Sequence, residues 1–72
     1  MERYRNLGGN SGIREYEIGP DSIKVSFPGK EPYLYTHRSA GQIHIERMKR
    51  LAVAGRGLGT YISKYVGDKY ER

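Results

Sequence analysis

The stretch Gly55-Arg56-Gly57-Leu58-Gly59-Thr60 stands immediately before an apolar stripe of helical spacing. A flexible loop feeding a helix start presents unpaired backbone N–H groups and a positive partial charge, the ingredients of a phosphate site. In that reading Gly57 and Gly59 supply the loop, Arg56 a bidentate guanidinium contact and Thr60 a hydroxyl donor. The stretch is not a Walker A motif, because Gly-Lys-Ser/Thr is absent, nor a dinucleotide fingerprint, because no strand precedes it. The competing reading is a plain helix–helix connection, with glycine closing one helix and Thr60 capping the next.

Tyr33 and Tyr35 form the second constellation. They share one face of a short β-favouring run, with Leu34 and Thr36 on the other. If Leu34 joins the core, both rings face outward, where bases stack for about 1–3 kcal/mol each. If the tyrosines point inward, they are core residues with hydroxyls at the rim. His37 and Arg38 follow directly, placing cationic groups beside the aromatic pair. A third group, Arg47, Lys49 and Arg50 with Arg56 beyond, makes a basic helix face; Arg47 and Arg50 are surface neighbours at i, i+3. Glu46 would partly neutralise that face, and a solvated surface is its ordinary explanation.

Catalytic chemistry has little to work with. There is no cysteine, and His37 and His44 have no serine–base–orienter arrangement around them. His44-Ile45-Glu46 matches the opening of the zinc-deaminase signature, but the Pro-Cys-x-x-Cys that should follow is missing. Two histidines fall short of three zinc ligands unless carboxylates join them, and the carboxylates are scattered. The expectation is a protein without enzymatic activity, metal or cofactor.

The elements that position these groups must come from 72 residues, which allow one small domain. At 36% hydrophobic content and a mean hydropathy of −0.79, its core is modest or shared with another subunit, and homo-oligomerisation is expected. No apolar run approaches a membrane span and no signal-peptide h-region follows Met1. A cytoplasmic protein is expected. The 13 Lys+Arg against 8 Asp+Glu leave +5, which favours an anionic partner such as a nucleotide or RNA.

Along the chain, residues 1–12 read as a flexible basic arm carrying Arg3 and Arg5. Residues 13–72 read as one α+β domain. Alternating patterns predict strands over 13–18, 22–27 and 33–36, separated by turns at Gly19-Pro20-Asp21 and 28–32. Helical spacing predicts a helix over 43–54 and a second over about 60–66, ended by Gly67. The fold expected is a three-stranded antiparallel β-meander followed by two helices packed on one face. Its core would hold Tyr16, Ile18, Ile23, Val25 and Phe27 from the strands. The helices would add Ile45, Met48, Leu51, Leu58, Ile62 and Tyr65.

With Tyr33-Leu34-Tyr35 followed by a helix, and Gly57-Leu58-Gly59-Thr60-Tyr61-Ile62 leading into an aromatic-bearing last helix, the chain resembles the KTSC domain. That family is named for a C-terminal extension on some lysyl-tRNA synthetases and also occurs as short stand-alone proteins in bacteria and phages. The resemblance runs from about Ser11 to Tyr70. It implies RNA binding, by way of the synthetase association.

The function expected is therefore non-enzymatic binding of a nucleotide or nucleic acid, RNA foremost. The candidate residues are Tyr33, Tyr35, His37, Arg38, Arg47, Arg50, Arg56, Gly57, Gly59, Thr60 and Tyr61. Two alternatives stand beside it. One is a phage-type sponge that sequesters a cyclic oligonucleotide immune signal as a homo-oligomer; the other is a protein-interaction module that inhibits a host defence protein.

Overall fold

A computed structural model describes residues 1–9 and 12–71. The protein is α+β, with a four-stranded antiparallel sheet in the order β1-β2-β3-β4 and helices on one face. The strands are β1 (Glu2–Arg3), β2 (Glu15–Ile18), β3 (Ser22–Ser26) and β4 (Tyr33–Thr36). The expected meander is β2-β3-β4. The fourth strand comes from the segment read as an arm, of which residues 10 and 11 lie outside the described residues.

Tyr4 is why that segment joins the fold. Its ring is buried at 4% exposure, and its hydroxyl accepts a hydrogen bond from the Leu58 amide at 3.2 Å. Burying an aromatic ring outweighs the entropy of ordering a few residues, which the Gly/Asn/Ser-rich composition downstream conceals.

Register decides what faces the helices. Tyr16 pairs with Val25, Val25 with Tyr33, and Ile23 with both Ile18 and Tyr35, so these residues share one sheet face. Leu34 opposes Lys24 on the other. Both tyrosines therefore lie on the helix side. Ile18, expected in the core, is 43% exposed, because β2 carries it beyond the reach of the helices.

Ile13 and Tyr16 are both buried although they are three apart. The Arg14 amide donates to Ser26 O at 2.8 Å, and Ser26 is already the partner of Glu15. Two residues thus address one, the signature of a β-bulge, and the extra residue resets the alternation.

The third element read as helical begins earlier than expected. Thr36 and Ser39 form a reciprocal capping box that starts a short helix α1 (His37–Ala40). Gly41, at φ 98°, separates it from α2 (Gln42–Ala54). Helix α2 buries Ile45, Met48 and Ala52 against β3 and β4 and ends at Gly55 in the left-handed region. Arg5 Nη2 donates to Val53 O at 2.7 Å, and the Leu7 amide donates to Gly55 O at 2.6 Å. A cation and an amide thereby satisfy carbonyls at the helix C-terminus.

The last helix starts at Leu58, not Thr60. Helix α3 (Leu58–Tyr61) runs directly into a π-helical turn over Ile62–Val66, closed by a 2.6 Å bond from the Gly67 amide to Ile62 O. A π turn spends more residues per revolution than an α turn. The buried stripe is consequently Leu58, Ile62 and Val66, and Tyr65, expected inside, is 50% exposed. Phe27, Tyr33, Leu51 and Tyr61 pack at the core's margin. The chain then returns along the open edge of β4, where the Glu71 amide donates to Leu34 O at 2.7 Å and the Thr36 hydroxyl donates to Glu71 Oε2. That cover protects an edge strand from pairing with another chain. No helix among the described residues is long and apolar enough to cross a membrane.

Candidate nucleic-acid interface

The expected residues divide into three groups once placed. Tyr35 is 1% exposed, with its hydroxyl donating to Gly67 O at 3.0 Å. Tyr33 lies against Tyr70 with ring centroids 4.5 Å apart and edge-on to Phe27 at 5.7 Å. Tyr35 is thus a core residue, and Tyr33 spends its ring on other aromatics. Neither offers a stacking platform.

The glycine loop is mostly internal architecture. Gly57 caps α3 in the left-handed region and accepts from the Tyr61 amide at 3.0 Å. The first helical amide, Leu58, is taken by the buried Tyr4 hydroxyl. Gly59 and Thr60 fall inside the four-residue helix, so Thr60 is not a cap. Arg56 is exposed on the loop. An anion held by several free amides, as the sequence suggested, has lost the leading amide to Tyr4.

His37 has a partner as well. Its Nε2 donates to Glu46 Oε2 at 2.9 Å, and Lys49 Nζ reaches the same oxygen at 3.0 Å and Pro20 O at 3.0 Å. The hydrogen bonds from His37 and then Lys49 hold the Glu46 carboxyl below the usual carboxylate range. This arrangement turns Glu46 toward His37 and Lys49. Arg47 and Arg50, exposed on the same helix, make no ion pair among the described residues.

What the structure does assemble is a surface between α2 and the last helix. Arg47, Arg50, Leu51 and Tyr61 line a groove of about 280 Å³. Tyr61 is fixed there: its hydroxyl and His44 Nδ1 share a 2.7 Å hydrogen bond, its direction set by the imidazole tautomer. Tyr65 lies 4.6 Å from Tyr61 by ring centroid, and 6.0 Å from His44 with the planes only 26° apart. An aromatic patch with a half-exposed tyrosine thus adjoins two guanidinium groups that have no carboxylate partner among the described residues. Such a patch offers a ring face for a base and planar donors for phosphate oxygens.

His44 and Tyr65 were not among the candidates. The helical spacing did contain them: His44, Arg47 and Leu51 follow i, i+3, i+7 on α2, and Tyr61 and Tyr65 are i, i+4. Tyr65 was assigned inward because an α period was assumed through the π turn. Arg38 is exposed on α1. No group of three or more potential metal ligands occurs among the described residues. No protein-family description, curated protein or solved structure matches this chain.

Proposed function

We propose that the protein binds single-stranded nucleic acid, RNA foremost, without catalysing a reaction. The observation that carries this reading is the juxtaposition of Tyr61 and Tyr65, braced by His44, with the unpaired Arg47 and Arg50. In this mechanism the guanidinium groups hold backbone phosphates and Tyr65 stacks on a base, so affinity is largely sequence-tolerant. The net charge of +5 adds long-range attraction, with Arg38 and Arg56 extending the basic surface. The likeness to the KTSC domain belongs to the same reading and points to the same ligand class. So do a cytoplasmic setting and a homo-oligomer, whose copies would multiply phosphate contacts along one strand.

Tyr65→Ala provides the test. The side chain is half-exposed, so circular dichroism should be retained while affinity for a short single-stranded RNA falls by about 1–3 kcal/mol. Fluorescence anisotropy at fixed salt reads the change. Unchanged affinity in a folded variant removes stacking from the mechanism.

A further inference from the structure

A pocket of about 500 Å³ opens where β1 ends beside the start of β2. Arg3, Arg5 and Arg14 line it, with the buried Tyr4 and Ile13 beneath, and it shares no lining residue with the Arg47–Tyr61 groove. Three guanidinium groups gather there against one carboxylate, Glu15, which faces Arg3 across the β1–β2 ladder. Among the described residues, neither Arg3 nor Arg14 makes an ion pair. Like charges gathered in a concavity repel one another, and a bound anion relieves that repulsion.

Two features of the backbone prepare the site. The bulge at Arg14–Glu15 shifts the alternation of the strand and brings Arg14 to the same pocket as Arg3. Arg5 is held in place by its bond to Val53 O and by packing over Gly55. A Cβ at position 55 would come within 3.0 Å of Arg5 Cβ and 3.1 Å of its Nε. A guanidinium already fixed by one N–H loses little entropy when its remaining donors meet a ligand.

We propose that this pocket is a binding site for a compact polyphosphate, taking the phosphoryl oxygens of pyrophosphate or of a nucleotide's phosphate chain. Arg3, Arg5 and Arg14 donate to those oxygens. Glu15 sets a threshold: its carboxylate offsets one of the cations, so a multiply charged anion is preferred to a monovalent one. The site stands apart from the nucleic-acid surface and survives if that surface fails.

Amide NMR of the full chain, titrated with inorganic pyrophosphate and separately with ATP, tests it. The expected result is saturable shifts at residues 3–5 and 13–15 with both ligands. The Arg3→Ala/Arg14→Ala variant should bind pyrophosphate about tenfold or more weakly, since charge-assisted hydrogen bonds are lost. Arg47→Ala/Arg50→Ala should leave pyrophosphate binding unchanged. Shifts that do not saturate, shifts undiminished in the first variant, or saturation by ATP alone at Tyr61 and Tyr65 would overturn the proposal. The wild-type shift map carries the test even where a variant loses its fold.

Discussion

Tyr35 shows how a single side chain sets the protein's alkaline limit. Burial first, and then the neighbouring Tyr33, Tyr70 and Asp68, push its phenol from 10.0 up to about 12. The native state therefore keeps a proton that the unfolded chain has lost above pH ~10. Its contribution to stability is complete below that pH and disappears as the pH rises through about 12. Denaturant midpoints of the wild type should fall across this window more steeply than those of Tyr35→Phe, which has nothing there to titrate. At neutral pH the same substitution should cost about 1 kcal/mol, because it removes the hydrogen bond to Gly67 O. Equal alkaline slopes in the two proteins would contradict this role. Tyr4 acts by the same logic at the opposite end of the chain, supplying an acceptor for an amide that no helical carbonyl can reach.

At the scale of elements, α2 was legible because its apolar residues repeat with a constant period: the expected span 43–54 matches Gln42–Ala54 within a residue. Strand β3 was legible for the same reason, with Ile23 and Val25 alternating inward. Elements that interrupt their own period were not. The bulge at Arg14–Glu15 brought Ile13 into the core, and the π turn exchanged Tyr65 for Val66. Neither event leaves a residue-type signature, since each inserts extra backbone without demanding glycine or proline. The junction of α2 with the N-terminal segment gives an element-scale prediction. Gly55 has φ 79° and Arg5 packed over it, whereas Gly29 has φ 72° and open space around its Cα. Gly29→Ala should cost about 1 kcal/mol in conformational strain alone. Gly55→Ala should cost about 1–3 kcal/mol and displace Arg5 from Val53 O as well. Thermal denaturation of the two variants ranks them, and equal losses would show that Arg5 yields without penalty.

For the molecule as a whole, smallness explains both the architecture and the division of the candidate residues. A chain of 72 residues has few apolar groups, so aromatics that might have served a ligand are drawn inward: Tyr4, Tyr16 and Tyr35 fill the core. The sequence identified the right chemistry, cations beside tyrosines, and the Arg47–Arg50 pair within it. It placed the stacking rings on the wrong element, because parity in β4 alone does not say which face meets the helices. Net charge is a property of the whole molecule and sets the salt dependence of binding. The most direct test measures the affinity of wild type and Arg47→Ala/Arg50→Ala for a short single-stranded RNA over a range of salt concentrations. The wild type should weaken steeply with salt, and the variant's log–log slope should be shallower by about 1.4, the share of two phosphate contacts on a single strand. Affinity indifferent to salt, or an unchanged slope and affinity in the folded variant, would contradict the assignment of this surface to nucleic acid.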